Sequence, residues 1–220
     1  MLALLQSIQR DAAALQTLHH TLGQDPKALA VFAECAERIM RCDDDDRVVY
    51  VSGIGKSGIV AQRFASTLAS ISVRSRWIHG SEWTHGELGN LRRGDVVILL
   101  SHSGKTSELL ELPSLFHGFG CDVITITQSA ASPLSLQSDV ALVAPATDNA
   151  ACPVPSRSIV VQVQSACTNP QCTFEELMKI AFLQESICNA LVEQLVASME
   201  GRATKFRQNH PGGSIGDSIW

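Results

Sequence analysis

The sequence has no excess of basic residues, no CxxC pair and no long apolar run, and each absence removes a class of protein. Seventeen lysines and arginines against 22 acids leave a formal charge of −5, which argues against a nucleic-acid surface, since that wants a basic face. Seven cysteines are scattered singly at Cys35, Cys42, Cys121, Cys152, Cys167, Cys172 and Cys188. Without CxxC spacing a structural zinc ribbon is not expected, and thiols inside apolar segments behave as small hydrophobes in a reducing cytosol. No apolar run reaches the roughly 18 residues that span a bilayer. The first ten residues lack the basic start and small-residue cleavage site of a signal peptide, so a cytoplasmic protein without a membrane partner is expected.

What is present fits one domain of ordinary size with an appended helical arm. Of 220 residues, 45% are hydrophobic and 18% charged. Residues 1–42 form the arm: helices are predicted over 2–24 and 27–41, with Leu4, Leu5, Ile8, Ala12, Leu15 and Leu18 recurring at three and four and a break at Gly23-Gln24-Asp25-Pro26. Such a pair either packs on a partner subunit or covers one sheet face in the monomer. Four acids, Asp43 to Asp46, lack the alternating ligands and glycine of a calcium loop and read as a solvated loop.

From Arg47 strands and helices alternate. Strands are predicted near 47–52, 73–78, 95–100, 122–127 and 139–144, and helices near 57–71, 105–118 and 133–138. Near-continuous apolar strands such as Val96 to Leu100 need cover on both faces. The expected fold class is therefore α/β, a parallel sheet between helices, with ligands bound at the edge where the loops follow the strands.

Two of those loops carry the chemistry. Val48-Val49-Tyr50-Val51-Ser52 runs into Gly53-Ile54-Gly55-Lys56-Ser57-Gly58, and Asp95 to Leu100 runs into Ser101-His102-Ser103-Gly104-Lys105-Thr106-Ser107-Glu108. A strand, a glycine turn and a helix start point bare N–H groups at one spot, which suits phosphate. Both turns would share one edge and so one pocket for a small phosphorylated molecule. Gly53-x-Gly55-x-x-Gly58 also fits the dinucleotide fingerprint, but no acid ends the second strand; Arg74 or Arg76 would have to serve an NADP reading. A P-loop fails because position 50 is Tyr50. Lys56 would set a positive charge beside the cradled anion. In His79-Gly80-Ser81-Glu82-Trp83-Thr84-His85-Gly86-Glu87, His79 or His85 would act as acid, base or sugar contact, the spacing being no standard zinc pattern. Glu108, in the first turn of its helix, would face the cup with its charge favoured there.

Beyond residue 145 the pattern changes: Pro145, Pro153, Pro155 and Ser156-Arg157-Ser158 read as loop, and Ile159 to Ala166 as a short apolar element. Thr173-Phe174-Glu175-Glu176 has capping-box spacing and opens a long helix to about Ser198, with Leu177, Ile180, Ala181, Gln184, Ile187, Cys188 and Leu191 along one stripe. Asn209-His210-Pro211-Gly212-Gly213-Ser214 is a tight polar turn.

The turn GIGKSG, the cup SHSGKTSE, the segment HGSEWTHGELG and the closing NHPGGSIG together resemble the sugar isomerase (SIS) domain, and more narrowly the arabinose-5-phosphate isomerases. The resemblance is dense over 47–135 and returns at 209–216. It implies a five-stranded parallel sheet between helices over residues 43–220, in the flavodoxin-like manner. It implies a member without the family's usual pair of CBS modules, assembled as a homodimer or homotetramer, working without a cofactor. The implied reaction interconverts an aldose and a ketose five-carbon sugar phosphate through an enediol. Matched by motif, Lys56 stabilises the enediolate, Glu108 moves the proton, His210 assists ring opening or proton relay from a neighbouring subunit, and His85 contacts substrate. Gly53, Gly55, Ser57, Glu82, Ser101, His102, Ser103, Gly104, Lys105 and Thr106 would line the sugar and phosphate sites, and His79 matches a histidine sometimes involved in metal binding.

Two departures bear on activity. Ala150, before Ala151-Cys152-Pro153, stands where the family has a second catalytic glutamate, and Asp148 is the acid placed to replace it. The family's hydroxyl-rich loop after that point is also absent, and Arg157 is the residue there suited to grip a phosphate bidentately. The alternative function is accordingly a phosphosugar-binding or regulatory protein that has lost turnover.

Overall fold

The computed structural model describes residues 2–144 and 174–212. Five parallel strands, β1 (Val49–Gly53), β2 (Ser75–His79), β3 (Val96–Leu100), β4 (Asp122–Thr127) and β5 (Val140–Val143), form one sheet in the order β2-β1-β3-β4-β5. The strand order reverses between β1 and β3. Gly53 lies in register with Leu100 on one side and with His79 on the other, so three strands end level with one another. A crevice outside strand ends at such a reversal is where open α/β sheets bind ligands.

β1 and β3 are buried along their whole length because helices cover both faces. Alternation along β3 sends Val96, Ile98 and Leu100 into one core and Val97 and Leu99 into the other. The first core joins the sheet to α1 (Leu2–Gln24), α2 (Pro26–Asp44), α3 (Gly55–Ser70) and α6 (Phe174–Ser198), through Ile39, Phe64, Leu68 and Leu191 among others. The second joins it to α4 (Ser107–Leu110), α5 (Leu112–Gly118) and the 3-10 turn Trp83–His85. There Trp83 stacks edge-on against Tyr50 and Phe116, and its indole N–H donates to Ser52 Oγ at 3.0 Å.

Of the two options for the leading helices, α2 takes the sheet face. Asp25 caps it by accepting from the Lys27 N–H at 2.9 Å, Pro26 fills its first turn, and Cys35, Ala36, Ile39 and Cys42 are buried against the strands. It runs to Asp44, so the acidic run begins inside a helix rather than in a solvated loop. Asp43 forms a buried ion pair with Arg202 of α7 (Arg202–Gln208).

Two further expectations are corrected. The predicted helix over 105–118 is two, because Pro113 has no N–H to continue the turn that ends at Leu110. The predicted helix over 133–138 is one 3-10 turn, Ser135–Gln137, where the Ser132 and Ser135 hydroxyls bond to each other and to Thr127. Hydroxyls that bond locally in this way compete with helix formation. Helix α7 carries no amphipathic signal that reads from sequence. The end of α6 into Ser198 is as expected, and its cap at Thr173 lies outside the described residues.

Candidate active site

The first loop turns within two residues of β1. Ile54 is extended and the helix begins at Gly55, so Lys56 stands in the first turn of α3 rather than in a free loop. The turn is tight enough that a Cβ on Gly58 would come 2.9 Å from the Gly53 carbonyl oxygen. Lys56 is only 7% exposed, and among the described residues its ammonium has neither hydrogen-bond nor ion-pair partner. Burial lowers its pKa. Beside it, the Ser57 hydroxyl donates to Gln184 Oε1 of α6 at 3.1 Å. The opening N–H groups of a helix have no intrahelical acceptor, so they and the ammonium offer donors to one place.

The second loop forms the hydroxyl cup. Ser101 is buried and its hydroxyl shares a hydrogen bond with Thr106 Oγ1 at 3.0 Å; Ser103 Oγ accepts from the Lys105 N–H at 3.2 Å. Gly104 holds the bend at φ +60°, and a Cβ there would overlap the Ser132 side chain. Behind the cup lies a support that sequence reasoning missed: Thr127, Ser132 and Ser135 hydroxyls linked at 2.8 and 2.9 Å, with the Leu134 N–H donating to the Gly104 carbonyl at 3.0 Å. The only sequence signal for it is serine density after β4. Burial drives the His102 imidazole down to about 4, so it is neutral at physiological pH and adds no cation to the cup.

The end of β2 forms the third wall. His79 Nδ1 lies 2.7 Å from Ser81 Oγ, and Gly80 sits so close to α4 and the first loop that a Cβ would come 2.6 Å from Leu109 Cδ2 and 2.8 Å from Ile54 Cγ1. Glu108, exposed at the start of α4, is held below the usual carboxylate range by its own backbone N–H, then by the Ser107 hydroxyl at 2.7 Å and by the charge of His79. Glu82 and His85 are exposed at the 3-10 turn that follows. Among the described residues no three His, Cys, Asp or Glu side chains are grouped to hold a metal ion, His79 included.

The NADP alternative loses its cation. Arg74 precedes β2, at the sheet edge away from the loops, and bonds the Asp46 carbonyl and carboxylate at 2.8 Å, while Arg76 lies mid-strand, 3.7 Å from Glu87. His210 is not brought to Lys56 of its own chain. Asn209 next to it donates to the Ser70 carbonyl and Ser72 Oγ at 3.0 and 2.8 Å, at the far end of α3, a helix about 24 Å long. The His210 Nδ1 lies 2.6 Å from the Phe206 carbonyl oxygen. Arg157, Asp148 and Ala150 lie outside the described residues.

A five-stranded parallel sheet in this order, with two donor-lined turns meeting at the reversal of strand order, defines an α/β protein that binds a small ligand at its strand ends. Residues 44–167 match the SIS domain, and the chain belongs to that family. Arabinose 5-phosphate isomerase KpsF of Escherichia coli is 30% identical over 96% of this chain and 56% of its own length. Arabinose 5-phosphate isomerase KdsD of Pseudomonas aeruginosa is 41% identical over 44% of this chain and 29% of its own. The chain thus spans about half the length, or less, of these curated relatives. Among solved structures, c3406 of E. coli CFT073, in complex with arabinose 5-phosphate, is 26% identical with a TM-score of 0.63, covering 95% of this chain and 98% of that one. Among the described residues no helix is long and apolar enough to cross a membrane.

Proposed function

We propose that the chain interconverts the aldose and ketose forms of a five-carbon sugar phosphate, D-arabinose 5-phosphate and D-ribulose 5-phosphate, through an enediol. The observation that carries this reading is Lys56: a largely buried residue whose ammonium has no partner among the described residues, on the turn after Gly53, which is in register with Leu100 ahead of the hydroxyl cup, and on the same edge as Glu108. Moving a proton between adjacent carbons needs a positioned base and a cation for the developing oxyanion. Glu108, kept ionised, takes the proton from one carbon and returns it to the next, while Lys56 stabilises the enediolate. Ser101, Ser103 and Thr106, with the N–H groups of the Gly53–Ser57 and Gly104–Lys105 bends, hold the phosphate. Glu82 and His85 contact the sugar.

His210 acts in the pocket of a second copy, because in its own chain α7 is fastened to the far end of α3. That role requires an oligomer, a homodimer or homotetramer, and the cytosol is the compartment this reading assigns to it. The names of the relatives support the substrate. A second reading, phosphosugar binding without turnover, is favoured by Ala150 where the family has glutamate. Glu108→Gln separates the two: we expect binding of arabinose 5-phosphate to be retained while turnover falls roughly 100-fold or more, a usual general-base contribution. Unchanged turnover in that variant would place the base elsewhere, and a wild type that binds but never turns over would leave the second reading standing.

A further inference from the structure

Among its described residues, helix α6 offers one buried polar side chain to the core it shares with α3. Around Gln184 the residues Leu183, Ile187, Cys188, Leu191 and Leu195 are buried and apolar, and Gln184 itself is 1% exposed. Its Oε1 accepts the Ser57 hydroxyl at 3.1 Å, but among the described residues its Nε2 has no hydrogen-bond partner. A buried N–H without an acceptor is rare, because nothing replaces its lost hydration. This one lies beside a helix start that also presents only donors, the first N–H groups of α3 and the Lys56 ammonium.

The pair has two hydrogen-bond states, since turning the amide over exchanges its oxygen and nitrogen. In the first, Ser57 donates to Gln184 and keeps its hydroxyl hydrogen from the turn. In the second, Nε2 donates to Ser57 Oγ and the hydroxyl hydrogen is released toward an acceptor on the turn. The second state leaves a carbonyl oxygen short of a donor, which is commoner in proteins than an orphaned N–H. We propose that Gln184 is a positioning residue for the ligand. A phosphoryl or oxyanion oxygen over the first turn of α3 draws the Ser57 hydroxyl, the amide turns over, and the buried donor is satisfied. The inference rests on the sugar-phosphate reading of the site.

The test is a double-mutant cycle read by calorimetric titration of arabinose 5-phosphate into the wild type, Ser57→Ala, Gln184→Met and the double variant, with the ligand-free Tm of each. Absence of sugar-phosphate binding by the wild type would sink the site reading first and this inference with it. Given binding, each single change should weaken it about 10-fold and the double change no further, because Gln184 acts through Ser57. Gln184→Met should leave Tm unchanged or raised, its side chain filling the space without an orphaned N–H. Gln184→Glu, which accepts but does not donate when ionised, should hold Ser57 in the first state and weaken binding at least as much. Additive losses, an unchanged affinity in Gln184→Met, or an affinity loss accompanied by a lowered Tm would overturn the proposal.

Discussion

Lys56 is held where its charge is costly. Burial opposes the ammonium, and no described neighbour compensates it, so the side chain lowers the stability of the ligand-free protein. Lys56→Met should therefore leave Tm unchanged or raised while abolishing turnover. The sign with pH follows. The folded pKa lies below the unfolded one, so between them the unfolded chain binds more protons and wild-type stability rises with pH. The gain from Lys56→Met should be full at neutral pH and shrink as pH climbs through the lowered lysine pKa; thermal melts of both proteins across that range decide it. A Tm that falls on substitution would mean that the ammonium is compensated after all. The places of Lys56, Ser101 and Glu108 on the turns after β1 and β3 were legible in the sequence because a glycine turn between an apolar strand and a helix is a local pattern. Gln184 was legible only as part of a helical stripe, since its partner Ser57 is 127 residues away.

At the scale of elements, the cup is a bend held from behind. Gly104 needs both its positive φ and the space beside Ser132, so Gly104→Ala should destabilise the protein by about 1–3 kcal/mol and weaken sugar-phosphate binding. Gly118→Ala, at the end of α5 with open space around its Cβ position, is the control and should stay within about 0.5 kcal/mol. Denaturant melts with a parallel binding titration check both, and equal effects at the two positions would contradict the account of the cup. The strands were readable to within about two residues because apolar runs bounded by turn residues have few alternatives. The breaks were less readable. Pro113 splits a helix whose apolar pattern runs straight through it, and the serines after β4 trade helix bonds for a hydroxyl cluster. Helix α7 has one apolar anchor, Phe206, and is fixed by Arg202 donating to the Ile71 and Ser72 carbonyls at 3.0 and 2.7 Å, contacts that span about 130 residues and leave no local trace.

At the scale of the molecule, sheet order decides what one chain can assemble. The reversal between β1 and β3 brings the two turns together, and alternation of strands and helices was enough to foresee that edge. The Asn209 contacts hold His210 at the other end of α3, and the HPGG turn alone gives no distance between them. If His210 serves a neighbour, Lys56→Met and His210→Ala should each be inactive alone. Refolded together they should recover about a quarter of wild-type activity, the share of intact sites in randomly mixed dimers; no recovery would return His210 to a role within its own chain. The central claim is that the two turns grip one sugar phosphate while a proton moves between its first two carbons. Incubation with ribulose 5-phosphate in deuterated water tests it most directly. Deuterium at carbon 2 of the aldose product is the result this account predicts, and tight binding of the ketose with no exchange at that carbon would contradict it.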